Sequence, residues 1–179
     1  MKRRFDDMKI TFTKDTPVYL HSAAYARENE ELPLYRESYL ANVACKEAIE
    51  KAVSNHYANN HVDVKAILEE VGSGFSMERL KYVLANTVRE KDWDGRFSRA
   101  NKAWAKTVPV VEETDGWGYK RNSNFVVDRS HPAVLDVFIT HFRKELERAP
   151  HAKKSSVLDK LKAPVPESTA PGKSKAQEL

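Results

Sequence analysis

The chain holds a single cysteine, Cys45, which excludes an internal disulfide and any cysteine-rich zinc site. No run of about 18 apolar residues occurs, so no membrane-spanning helix is predicted. The glycines form no phosphate loop: Gly72-Ser-Gly74 lacks both the following Lys-Ser/Thr and a preceding strand. No His-Glu-x-x-His zinc pattern is present, and no serine sits in a nucleophile elbow. Met-Lys-Arg-Arg at the start resembles the charged part of a secretory signal, but no apolar stretch follows it. These absences predict a soluble protein of a reducing, cytoplasmic setting.

What is present suits one domain with a core and a tail: 179 residues, 41% hydrophobic and 31% charged. The formal charge of +4 conceals a separation of sign. Residues 28–78 hold four basic and ten acidic residues, whereas 79–106 hold eight basic and three acidic. Basic segments also lie at 1–10 and 150–179. The pattern suits two solvated helix faces, or a dipolar surface made for a charged partner.

The stretch from Ser76 to Lys106 reads as helix, turn, helix. Ser76 is a good N-cap, and Leu80, Val83, Leu84, Thr87 and Val88 follow the spacing of one helix face. Asp94-Gly95 breaks the run with turn chemistry, and Ser98 caps the second helix, which carries Trp104. Arg89, Lys91, Arg96, Arg99, Lys102 and Lys106 interleave here with Trp93, Phe97 and Trp104. Cations of this kind meet phosphates, and exposed aromatics stack on bases, so the stretch is the candidate interface for a nucleic acid or partner. The outline is loosely that of a helix-turn-helix DNA reader. Phe97 and Trp104 suit the core equally well, anchoring the turn. Glu90, Asp92 and Asp94 are the best acidic cluster and suggest a magnesium-dependent nuclease as an alternative. Turn formation and ion pairing with Lys91 and Arg96 explain the same residues.

Around this stretch the periodicity predicts an α+β fold, mostly helical, with about five helices. A flexible basic arm covers 1–10, the globular domain 11–149 and a disordered basic tail 150–179. Residues 9–20 read as extended or a weak strand. A short helix follows Ser22. A long amphipathic helix runs from Leu34 to about Tyr57, with Cys45 on its apolar face and Glu47–Lys51 as an outer ion pair. His56 and His61 read as surface-loop residues. Asp63 caps a helix over 64–71, which Gly72 and Gly74 end. Thr107–Glu112 reads as a strand, Asp115-Gly116 as a hairpin turn, and Trp117–Lys120 or Asn124–Val127 as the return. The last helix starts at Pro132, carries an apolar stripe through Leu146 and stops at Pro150. An apolar island, Val157–Leu161, is either a frayed turn or a docking motif in the tail.

Several blocks carry a resemblance. Residues 19–27, 38–49, 83–87, 91–98 and 102–105 resemble a domain family of unknown function. That family occurs in proteins of plasmids, phages and integrative elements of Clostridia-like bacteria. The block Asp92-Trp-Asp-Gly-Arg-Phe-Ser98 is its most specific motif, and the likeness spans roughly 17 to 110. The tail piece Ser155–Leu161 resembles a terminal motif of such proteins. The resemblance brings no catalytic residues or cofactor. It implies a mobile-element accessory protein, most concretely an anti-CRISPR inhibitor of a type II effector nuclease. The acidic half would occupy the nuclease's nucleic-acid channel and the basic patch would hold DNA or guide RNA. A stand-alone DNA- or RNA-binding module for element maintenance or transfer is the alternative.

Overall fold

The computed structural model describes residues 11–114 and 117–161, and the side chains as far as 148. Two compact units are distinguished, residues 1–144 and 145–179. All packing described here lies within the first. The helices are α1 (Ala23–Glu28), α2 (Leu32–Asn55), α3 (Val64–Gly74), α4 (Met77–Glu90), α5 (Arg99–Thr107) and α6 (Pro132–Leu161). Two short antiparallel strands, β1 (Tyr57–Ala58) and β2 (His61–Val62), join α2 to α3. A 3-10 turn covers Arg121–Phe125. The fold is therefore the expected mostly helical α+β.

The caps follow from side-chain chemistry. Ser22, Asp63, Ser76 and Ser98 each accept a hydrogen bond from the backbone N–H three residues on. Pro33 lies in the first turn of α2, where its missing N–H has no helical partner to lose. α1 ends in a Schellman arrangement: Glu30 takes φ 58°, and the Glu31 N–H donates to the Ala26 carbonyl.

The core is built around α4. Leu80, Val83, Leu84, Ala85 and Val88 are fully buried there, as are Ile49 and Cys45 of α2 and Ile67 of α3. Leu135, Phe138, Ile139 and Phe142 of α6 are buried as well. A second face of α4 is polar, and it too is buried. Arg79, Tyr82, Asn86 and Arg89 follow i, i+3, i+7, i+10 and hold the non-helical segments. The Arg79 guanidinium donates to the carbonyls of Thr16 and Pro17, and to Ser38 and Asn42 of α2. The Tyr82 hydroxyl accepts from the Val111 N–H, and Arg89 donates to the Val108 carbonyl. Asn86 exchanges hydrogen bonds with Asn122. Residues 16–17, 108, 111, 122 and 127 are thus bonded to α4 rather than to a sheet, the last through its N–H to the Thr87 hydroxyl.

Several sequence expectations are corrected. Among the described residues the paired strands lie between α2 and α3 rather than between the last two helices. Thr107–Glu112 forms no strand, and an antiparallel bridge pairs Thr114 with Lys120, on either side of the predicted turn. The observed hairpin turns at Asn59-Asn60, both at positive φ, a conformation asparagine tolerates better than most residues. Residues 11–20 form no strand among the described residues and turn at Lys14-Asp15, where the Thr16 N–H donates to the Thr13 carbonyl. α3 runs through Gly72 to Gly74, with Phe75 as its C-cap. The i, i+4 pair on α2 is Lys46–Glu50 at 3.5 Å rather than Glu47–Lys51. α6 continues past Pro150 to Leu161, since proline removes one helical hydrogen bond but keeps a helical φ. Residues 1–10, 115–116 and 162–179, with the predicted arm, the Asp115-Gly116 turn and most of the predicted tail, lie outside the described residues.

Candidate functional site

The turn between α4 and α5 divides the predicted cations into two groups. Arg89 and Lys91 serve the fold. Arg89 donates to the Val108 carbonyl at 3.0 Å, and the Lys91 amine meets the Asp128 carboxylate at 2.7 Å and the Val127 carbonyl at 3.3 Å. Arg96 is half spent: it forms a bidentate pair with the buried Asp94 carboxylate, at 2.9 and 2.7 Å. Its backbone N–H donates to the same carboxylate, which closes the turn. The hydrogen bonds from Arg96 hold the Asp94 carboxyl down at about 2.

The remaining cations form a stripe. Arg99, Lys102 and Lys106 stand at i, i+3, i+7 and share one face of α5, about 10 Å from end to end. Arg99 and Lys106 are exposed, with no ion pair among the described residues. Lys102 donates to the Asp92 carbonyl at 2.6 Å, so it keeps its charge and lies against the turn that carries Trp93. Trp93 is 79% exposed. Phe97 is buried, and Trp104 packs edge-on against Phe142 with the Arg143 guanidinium 6.0 Å from its ring centre. Of the three aromatics, only Trp93 is available to a partner.

The carboxylates of the nuclease alternative are not brought together. Glu90 faces Lys120 at 3.7 Å, Asp94 is closed by Arg96, and Asp92 is exposed. No group of three potential metal ligands occurs among the described residues. His56, predicted to be a loose loop residue, caps α2 and meets Glu70 of α3 at 2.6 Å. Cys45 is fully buried, and burial pushes its thiol up to about 12, so it stays a packed, protonated side chain.

A second feature went unread in the sequence: a cluster of tyrosines at the start of α2. Tyr35 and Tyr39, one helical turn apart, lie nearly parallel with centroids 6.3 Å apart. Tyr19 meets Tyr35 edge-on, and Phe125 meets Tyr39 edge-on. The Tyr35 hydroxyl donates to Glu113 at 2.5 Å and accepts from Arg121. Glu113 also accepts from the Ala23 N–H at the first residue of α1. Burial, reinforced by Glu113, pushes the Tyr35 hydroxyl up to about 12, so it remains a donor at any physiological pH. The Tyr35–Tyr39 spacing is visible in the sequence. Arg121 and Glu113 arrive from more than 70 residues away in the chain, and no local signal announces them.

The model of a family described as a protein of unknown function, DUF3849, matches residues 18–147, and the chain belongs to that family. No curated protein and no solved structure matches the chain.

Proposed function

We propose that this family member acts without catalysis, by binding a nucleic acid or a nucleoprotein complex through the α4–α5 turn and the outer face of α5. The observation that supports this most directly is Trp93, a large aromatic left 79% exposed in the turn against which Lys102, the middle cation of the α5 stripe, lies. Tryptophan in water beside guanidinium and ammonium groups suits a base to stack on and phosphates to follow. The most concrete partner is a type II CRISPR effector nuclease, with the protein belonging to a mobile genetic element. That choice rests on the resemblance of the Asp92–Ser98 block and on the separation of charge along the chain.

The test has two arms. In the first, the protein is added to a guide-loaded type II nuclease before or after target DNA, and cleavage is followed with the guide RNA run on the same gel. Inhibition on early addition alone means competition for the DNA channel. Inhibition at either time with intact guide means a block after DNA binding. In the second, binding of labelled single-stranded DNA and RNA is measured by anisotropy for the native chain and for Trp93→Ala. Loss of a stacking contact predicts about tenfold weaker binding for the variant. Binding of free strands without nuclease inhibition identifies a stand-alone module for element maintenance or transfer. Neither inhibition nor strand binding sinks the reading.

A further inference from the structure

Arg27, Arg36 and Arg121 come from α1, α2 and the 3-10 turn, and they line one cleft of about 370 Å³. Tyr35 and Tyr39 form one wall, with Ala23, Leu32 and Leu40 supplying apolar surface. This volume falls in the range of small-molecule sites. No carboxylate lines the cleft, and none of the three arginines makes an ion pair among the described residues. The Glu113 carboxylate acts on Arg121 from outside that lining, where it accepts from the Tyr35 hydroxyl and the Ala23 N–H. Three arginines therefore share one cleft with no carboxylate in its lining.

We propose that this cleft binds a nucleotide, with its phosphates on Arg27, Arg36 and Arg121 and its base against the Tyr35–Tyr39 wall. Guanidinium forks match phosphate oxygens two at a time, which a tetrahedral polyanion rewards more than a carboxylate does. The tyrosine wall supplies the complementary flat surface. It is organised in advance: the Tyr35 hydroxyl is tied to Glu113 and Arg121, and the Tyr39 hydroxyl accepts from Asn124 at 2.6 Å. Both rings are braced edge-on, by Tyr19 and Phe125. Little side-chain freedom remains to be lost when a ring stacks there. A second cavity of about 370 Å³ shares Ala23, Arg27 and Arg121 with the first, but Glu112 and Glu113 line it, so the phosphates belong in the first cleft.

This site is built from different residues than the α5 stripe and goes beyond the function proposed above. Its ligand chemistry has two sources, a free nucleotide or the 5′-phosphorylated end of a strand. Calorimetric titration of the full chain at low salt separates them, using AMP, ATP, GTP, CTP and UTP, adenosine, pyrophosphate, and a short oligonucleotide with and without its 5′-phosphate. Binding of at least one mononucleotide, tighter than both adenosine and pyrophosphate, is the expected result. Tighter binding of the oligonucleotide with its 5′-phosphate than without it, weakened by Arg36→Glu and with no mononucleotide bound, supports the site and assigns it to strand ends.

The variants are Arg36→Glu and Tyr39→Ala. Arg36 is exposed and bonded to no other described side chain, so its exchange leaves the melting temperature unchanged. It should weaken binding at least tenfold, whereas Trp93→Ala should leave it unaltered. Tyr39→Ala should narrow the advantage of nucleotide over pyrophosphate. Absence of any nucleotide or 5′-phosphate binding below 1 mM, or binding indifferent to Arg36→Glu, overturns the proposal. Where mononucleotides do bind, equal affinity for adenosine and AMP, or for pyrophosphate and ATP, overturns it as well. A failure of the α5 stripe to bind strands leaves these outcomes untouched, because the two sites share no residue.

Discussion

Asp94 lies between Trp93 and Gly95, and the Arg96 guanidinium closes back on its buried carboxylate at 2.7 Å. In a basic stretch such a carboxylate invites a catalytic reading, but its geometry is that of a turn lock. Its carboxyl is held at about 2, below the ordinary carboxylate range near 4, by the side-chain and backbone hydrogen bonds of Arg96. A depressed folded-state value means that the unfolded chain takes up the proton first. The stabilisation is therefore fully present above about pH 4 and is lost as pH falls toward 2. Asp94→Asn should lower the urea midpoint at pH 7, and the two proteins should converge between pH 4 and pH 2. A difference that persists unchanged at pH 2 would show that the carboxylate's charge is not what holds the turn. The residue scale also separates the three aromatics of this stretch. Trp93, Phe97 and Trp104 look alike in sequence, and only their surroundings leave the first to solvent and place the other two in or against the core.

At the scale of the element, α4 carries the organisation. Its apolar face was legible from Leu80, Val83, Leu84, Thr87 and Val88, because a 3.6-residue period is written along the chain. Its buried polar face was not legible, because Arg79, Asn86 and Arg89 look like solvent-facing residues until their acceptors are known. Those acceptors are backbone groups of residues 16–17, 108 and 122, and they follow no period. Arg79 is the strongest case. It is 2% exposed, its charge has no carboxylate partner among the described residues, and it is held by neutral oxygens alone. Arg79→Met should leave the buried acceptors of α2 and of the 16–17 segment without donors, destabilising the chain by about 3 kcal/mol in urea unfolding. Arg79→Lys should recover little of this, since a single ammonium cannot reach α2 and the 16–17 segment together as the planar fork does. The misplaced hairpin has a similar origin. Thr107–Glu112 is β-branched and reads as a strand, yet a strand needs a partner edge. Hydrogen bonds to the Tyr82 hydroxyl and from the Arg89 guanidinium claim that backbone first. The true hairpin, at Asn59-Asn60, is too short for alternation to show and was carried by turn chemistry alone.

For the molecule as a whole, charge in sequence and charge in space are different maps. The linear map places acid in 28–78 and base in 79–106. Folding spends Arg79, Arg89 and Lys91 on internal acceptors and leaves the Arg99–Lys102–Lys106 stripe as the outward cationic feature of that segment. It also gathers Arg27, Arg36 and Arg121 beside the acidic half. Three stripe cations meeting three phosphates predict a slope of about −2 for log affinity against log salt on a single strand. Arg99→Ala with Lys106→Ala should reduce that slope to about −0.7, the value for one remaining contact, in an anisotropy series from 50 to 200 mM salt. A flat dependence in the native chain would exclude phosphate contacts as the basis of binding.

The sequence by itself determined the class of the fold, the helix starts at Ser22, Asp63, Ser76, Ser98 and Pro132, the burial of Cys45 and the turn at Asp94-Gly95. Each is encoded in neighbouring residues, through a cap, a fixed φ or a period. Tertiary structure alone decided which cations remain outward, which aromatic meets solvent, where the hairpin lies, and that three arginines and two tyrosines share one cleft. Those outcomes depend on which distant backbone group or side chain satisfies a donor, and no local pattern in the chain records that choice.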